Sequence, residues 1–300
     1  MYKRQAYEAK RNGRNTVRSF NASLEATIAR ERLVEIDLRS ALRDGRIDVD
    51  VQGLFSTRGR LTGVEVLLRL VTADGTRHGP GHFLDVAQRL GLLRDLGEAV
   101  VERACSRMSD WLREHPDLHV AINADPSELA SPGWVEMIES ALARHCVAPG
   151  QLVIEATERG MIDPDGPTGQ ALDRLRSQGV GIAIDDFGTG SSSLGYIRDR
   201  MVNTVKIDRS FTQELTTNPV ARSITVAVVT LANDLDMPVV AEGVEDLALL
   251  PVLEELGCGI VQGFGLHRPQ PIDEFLADPP MVVDVAQPQP VAVRAATFGA

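Results

Sequence analysis

The sequence predicts an α/β fold, a (β/α)8 TIM-like barrel whose first strand runs antiparallel to the others. Three observations carry this. β-rich apolar runs alternate with amphipathic helical stretches from residue 47 to 264. Most connections are long enough to hold a crossover helix, which demands parallel pairing. Nearly every run also carries a polar residue in or at its carboxyl end, the rim where such barrels build their sites. An open doubly wound sheet is the alternative, but no Gly-x-Gly-x-x-Gly turn follows an early strand.

Taken in order, the first strand is "IDVDVQGLF" over 47–55. The turn "STRGRLT" is too short for a helix, so the second strand, "GVEVLLRLV" over 63–71, pairs with it antiparallel. Six further strands follow at 119–125, 151–157, 181–186, 203–208, 238–243 and 259–264. Helical patterns at 97–114, 133–145, 168–178, 218–235 and 246–256 separate most of them. Residues 1–20 are basic and polar, 21–277 hold the barrel, and 278–300 form a Pro-rich tail expected to be poorly ordered.

Bulk chemistry narrows the function. The chain has 300 residues, 43% hydrophobic but only 4% aromatic, so the core is aliphatic. A net charge of -11 argues against a polymeric nucleic-acid partner, which needs a basic face. A small anionic ligand remains compatible where metal ions or a local basic group reverse the field. Cys105, Cys146 and Cys258 are scattered, which favours reduced thiols and a cytoplasmic setting over a disulfide framework. No run approaches the ~18 apolar residues of a membrane span, and no signal-peptide pattern is present.

The strand-end residues are Glu65, Asn123, Glu155, Asp185, Lys206, Glu242 and Gln262. In a barrel they converge on one rim. Carboxylates and an amide oxygen are hard ligands suited to Mg²⁺ or Mn²⁺. Without cations so many acids in one cleft cannot all stay ionised. With two ions, one carboxylate of the Asp185–Asp186 pair bridges both while the other binds the second. Side chains alternate along a strand, so both acids aim inward only where the backbone turns, and Gly188 and Gly190 ease such a turn. Lys206 is the one cation of the set. Two metals and a lysine point to in-line attack of hydroxide on a phosphodiester. Singly, each residue has a plainer reading: Asp186 as a helix cap, Glu158 and Glu245 as solvated loop acids, Arg69 as a surface strand-end arginine. Together, coincidence over most of the strands is hard to credit.

With these segments assembled, the chain resembles an EAL domain, the bacterial family that linearises cyclic di-GMP. "VQGLF" is similar to the family's "YQPI", "GVEVLLRL" to "G-x-EALLRW", "AINADPSEL" to "VNLSxxQL" and "LVIEATE" to "LxLEITE". "IAIDDFGTGSSSLGYI", "VKIDRSF", "VVAEGVED" and "VQGFGLHRP" follow in the family's order, so the likeness covers about 30–270. The resemblance implies a first metal held by Glu65, Asn123, Glu155 and Asp185, and a second by Asp185, Asp186 and Glu242. It implies that Lys206 positions the attacking water and that Gln262 and Glu245 line the pocket. Gln52, Leu54 and Arg69 would contact cyclic di-GMP, with Arg69 on a phosphate. Glu158 would anchor the loop 187–194, which in the family links metal binding to a homodimer interface, and the product would be linear pGpG.

Some positions depart from the family pattern: Val66 for Ala, Gly53 for Pro, Ser191 for Tyr, Asn203 for Asp and Leu70 for Trp. Gly53 is expected to loosen the substrate-side strand and Ser191 the loop. The competing expectation is therefore a receptor that binds cyclic di-GMP and cleaves it weakly or not at all. "AYEAKRNGRNTVRSF" resembles the closing segment of a GGDEF domain, which implies an upstream GGDEF or sensory domain in a parent protein.

Overall fold

Val49, Val51 and Phe55 recur at alternate positions of "IDVDVQGLF", and a strand must present such residues on one face. The structure, a computed structural model, describes residues 22–157, 165–188 and 201–285. In it these residues are buried along strand β1 (Ile47–Ser56), against helices outside the sheet. The opposite face of β1 carries Gln52 and Leu54 inward.

Seven more strands join it: β2 (Leu61–Val71), β4 (His119–Asn123), β5 (Leu152–Thr157), β6 (Gly181–Phe187), β7 (Thr204–Ile207), β8 (Val239–Ala241) and β9 (Ile260–Val261). From β2 through β4 to β9 each neighbouring pair is parallel. β1 closes the ring, antiparallel to β9 through Phe55↔Val261 and paired on its other side with β2. The closed barrel with a reversed first strand is the predicted architecture. Two short strands extend it: β3 (Arg77–His78) beside the end of β2, and β10 (Gln270–Pro271) beside β1.

The chain divides into two compact units, one of 22–46 with 70–92 and one of the remaining described residues. The first contains α1 (Ala22–Arg43), α2 (Leu84–Leu90) and β3. The sequence marks no helix over 22–43. Its inward stripe is thin, Val34, Leu38 and Ala41 among charged residues, while Leu33 and Ile36 are exposed.

In the second unit the outward Val and Ile of the strands pack under α3 (Leu93–Glu114), α4 (Pro126–Leu129), α5 (Trp134–His145), α6 (Pro167–Ser177), α7 (Arg209–Gln213), α8 (Pro219–Asp234), α9 (Leu250–Leu256) and α10 (Ile272–Ala277). Val66 is one of these outward residues, so its extra bulk is a packing change on the face away from Glu65. Asn203 also has a local task. Its Oδ1 accepts the Ile182 N–H at 2.8 Å and ties the approach to β7 onto β6. The ordered chain runs past the boundary set at 277: Leu61 N–H donates to Met281 O at 3.0 Å, and Val283 N–H to Gly59 O at 2.9 Å. Among the described residues no helix is long and apolar enough to cross a membrane.

Helix α4 follows the Asn123 strand end and starts with a capping box, in which Ser127 N–H donates to Asp125 and Asp125 N–H to Glu128 Oε2. Glu128 is only 7% exposed, seated over Gly97 of α3, where a Cβ would strike its carboxylate. Burial pushes its carboxyl up to about 7, against the pull of the Asp125 N–H. The folded state therefore binds this proton more tightly than the unfolded chain, so stability falls as pH rises from about 4.5 to about 7. Glu128→Gln is expected to flatten that slope and to stabilise the protein at pH 8 by about 1–3 kcal/mol, read by denaturant melts at several pH values.

Candidate active site

Inward alternation carries Glu65, Glu155, Asp185 and Lys206 into the barrel near one rim, and Glu242 and Gln262 stand just past the last residues of β8 and β9. Lys206, 1% exposed, is at their centre. Its Nζ donates to Glu155 Oε2 at 2.7 Å and lies 2.7 Å from Glu242 Oε1. Asp185 Oδ1 is 3.5 Å away and Glu65 Oε2 3.6 Å. Amides complete the frame. Asn123 Nδ2 donates to Glu65 Oε1 at 2.7 Å, and Gln262 Nε2 donates to Glu65 Oε2 at 2.6 Å and Gln52 Oε1 at 3.2 Å.

The electrostatics are lopsided, with four carboxylates facing one ammonium. Burial alone would push Lys206 down, but Glu155, Glu65, Glu242 and Asp185 outweigh it and hold the amine charged. Burial raises Glu242 to about 7, with Lys206 pulling the other way. Glu65 is held below its usual range, since Lys206, Gln262 and Asn123 together overcome its burial.

Asp185 and Asp186 are consecutive, yet their carboxylates reach the same place. The register between β6 and β7 shifts between Ile184 and Phe187, and Asp186 adopts φ 54°, the left-handed region. The turn is made by Asp186 itself, with Gly188 (φ 98°) after it; Gly190 is outside the described residues. One oxygen each of Asp185, Asp186 and Glu242 lie within 4.8 Å of one another. Asp185 Oδ1 is buried and accepts no hydrogen bond, and burial, then Asp185 and Asp208, raise Asp186. Clustered carboxylates that cannot all be satisfied by protein donors fit a hard divalent cation. This is the set expected for the second ion. Of the set expected for the first, Glu65, Glu155 and Asp185 gather around Lys206, Glu155 bonded to its amine and Glu65 to Asn123 and Gln262.

Above the acids opens a cleft of about 240 Å³ lined by Gln52, Glu65, Asp185, Glu242, Glu245 and Gln262. The backbones of Gly243 and Gly263 also line it, as do three side chains that the sequence does not single out: Arg209, Gln213 and Phe264. Arg209 and Gln213 belong to the one-turn helix that follows the Lys206 strand, and that adjacency was the available signal. Gln213 Nε2 donates to Glu245 Oε1 at 3.2 Å. Phe264, 46% exposed, stands at the edge under the Arg268 guanidinium, 4.8 Å from its ring centroid. The backbone at Gly263 passes so close to Val244 that a side chain there would fall on the Val244 carbonyl, which accounts for glycine beside Gln262.

Two positions have surroundings that the resemblance does not specify. Leu54 does not line the cleft: at 2% exposure it packs with Ala121 and Val240 inside the barrel, because the reversed β1 carries it away from the rim as the chain advances past Gln52. Gly53 is tied to His267. Its N–H, which proline would lack, donates to His267 Nδ1 at 3.0 Å, while Gln52 Nε2 donates to His267 O at 2.9 Å. Burial lowers His267 to about 4, so the ring is neutral and free to accept. Arg69 is at the rim but already paired, its Nε donating to Asp50 Oδ2 at 2.6 Å. Glu158, Ser191 and residues 189–194 of the loop are outside the described residues.

The sequence profile of the EAL domain matches residues 35–269. The bifunctional diguanylate cyclase/cyclic di-GMP phosphodiesterase MucR of Pseudomonas aeruginosa is 39% identical over 277 residues, covering 90% of this chain and 40% of that protein. The signaling protein YkoW of Bacillus subtilis is 35% identical over 270 residues, covering 90% and 34%. The solved PaMucR phosphodiesterase, a c-di-GMP complex, aligns with TM-score 0.76 and 38% identity over 81% of this chain and 99% of that one. The chain thus spans well under half the length of these curated relatives.

Proposed function

The chain belongs to the EAL domain family, and from that footing we propose that it hydrolyses cyclic di-GMP to linear pGpG with two Mg²⁺ or Mn²⁺ ions. The observation that carries this reading is the convergence of Asp185, Asp186 and Glu242 beside a buried, charged Lys206 at the floor of a polar cleft. Asp185, Asp186 and Glu242 would hold one ion; for Glu65, Asn123, Glu155 and Asp185 to hold the other, Glu155 would have to yield its bond to Lys206 and Glu65 its bonds to Asn123 and Gln262. Bound there, divalent ions supply neutralisation and Lewis acidity toward a phosphodiester. Lys206 orients the attacking water, while Gln52, Gln262 and Glu245 shape the pocket and Arg69 meets a phosphate. Leu54 supports the floor from beneath.

Against the receptor alternative speaks the hydrogen bond from the Gly53 N–H to His267, which proline could not make. A homodimer through 187–194 and the following helix, anchored by Glu158, an upstream GGDEF or sensory domain, and a cytoplasmic setting belong to the same proposal. The test is incubation of the purified protein with cyclic di-GMP and Mn²⁺ or Mg²⁺, with and without chelator, and chromatography of the products. Chelator-sensitive pGpG is expected. Intact nucleotide with either metal, alongside an active relative, would overturn the reading.

A further inference from the structure

Arg69, given above to a substrate phosphate, is not left to find its own orientation. It projects from β2 on the same face as Glu65, roughly 13 Å further along at ~3.3 Å per residue. Asp50 projects from the adjacent, reversed β1 on the same face as Gln52. Arg69 Nε donates to Asp50 Oδ2 at 2.6 Å, and its Nη1 donates to Leu68 O at 2.9 Å. The two side chains are only 15% and 12% exposed, so the pair is largely out of water. A guanidinium held along its Nε edge keeps its remaining N–H groups aimed in a fixed direction, and the rotamer freedom of a long side chain is surrendered before any ligand arrives.

We infer that Asp50 is a positioning residue for substrate binding: it fixes the Arg69 guanidinium at the rim so that the remaining N–H groups meet a phosphate of the dinucleotide. The inference rests on the proposed cyclic di-GMP site and assigns Asp50 no part in the chemical step. Its effect therefore falls on binding, with the acid cluster and Lys206 untouched.

The test compares wild type, Asp50→Ala, Asp50→Asn, Arg69→Ala and the Asp50→Ala/Arg69→Ala double variant for KM, kcat and cyclic di-GMP affinity. Asp50→Ala is expected to raise KM about tenfold with kcat within about twofold, as for loss of one charge-assisted hydrogen bond. Asp50→Asn, which keeps the shape and one acceptor oxygen, is expected to fall between and controls for folding. The double variant should bind no worse than Arg69→Ala alone. An unchanged or lower KM in Asp50→Ala and Asp50→Asn, or effects of Asp50 and Arg69 that simply add, overturns the inference while the proposed function stands. A wild type that neither binds nor cleaves the nucleotide overturns both.

Discussion

On the proposed mechanism, replacing Lys206 with alanine is expected to reduce cyclic di-GMP turnover by about 10³-fold or more while leaving nucleotide affinity within a few-fold, because the amine would act on the attacking water and not on the bound ground state. A parallel loss of affinity and rate would instead make Lys206 a phosphate clamp. The same substitution carries a stability signature. Lys206 is the buried counter-charge of Glu65, Glu155, Asp185 and Glu242. Removing it leaves mostly buried acids without their counter-charge, which costs about 3–5 kcal/mol for a broken buried pair and drives the carboxyls toward protonation. In chelator, the melting temperature of the variant should fall and should recover as pH is lowered toward 5, since protonation removes the uncompensated charge. A variant as stable as wild type at pH 8 would mean that the acids are neutral in the native protein.

The second large effect concerns the carboxylate cluster. Adding Mn²⁺ to the wild type at about a hundred times its dissociation constant should stabilise the fold by about 2.7 kcal/mol, visible as a concentration-dependent rise in melting temperature without nucleotide. Asp185→Asn should remove most of that rise and nearly all turnover, because Asp185 is common to both proposed ligand sets and its Oδ1 has no hydrogen bond to lose. An undiminished shift in Asp185→Asn would place the ion elsewhere.

Much of this was legible in the chain. Strands with polar residues at their ends, spaced by helical stretches, dictate a barrel with a polar rim, and the short 56–62 turn dictates the reversed first strand. The bulge at Asp186 was only half legible. Alternation places Asp185 and Asp186 on opposite faces, so a turn was required, but no local rule says that an aspartate and not a glycine takes the left-handed position. Leu54 shows the limit of a resemblance, which carries a role to a position but does not give the depth of its side chain in this barrel. Gly53 and Asn203 looked like weakened family positions. Their partners, His267 and Ile182, are distant in sequence, so the hydrogen bonds that justify them have no local trace. Arg209, Gln213 and Phe264 sit in a single helical turn or a loop, where no periodicity marks a residue as facing a cleft.

The backward course of β1 has a consequence for how this molecule can change over time. On every other barrel strand the chain reaches the open mouth last, so lengthening the segment that follows reshapes the mouth. On β1 the order is inverted: Asp50 and Gln52 come early, and the hairpin bend at 56–61 is at the opposite end of the barrel. Length variation in that bend is thereby insulated from the chemistry, whereas variation just ahead of residue 47 is not. Descendants of this chain should accept insertions at the hairpin, at the cost of its hydrogen bonds to residues 281–283, more readily than at the strand's entrance.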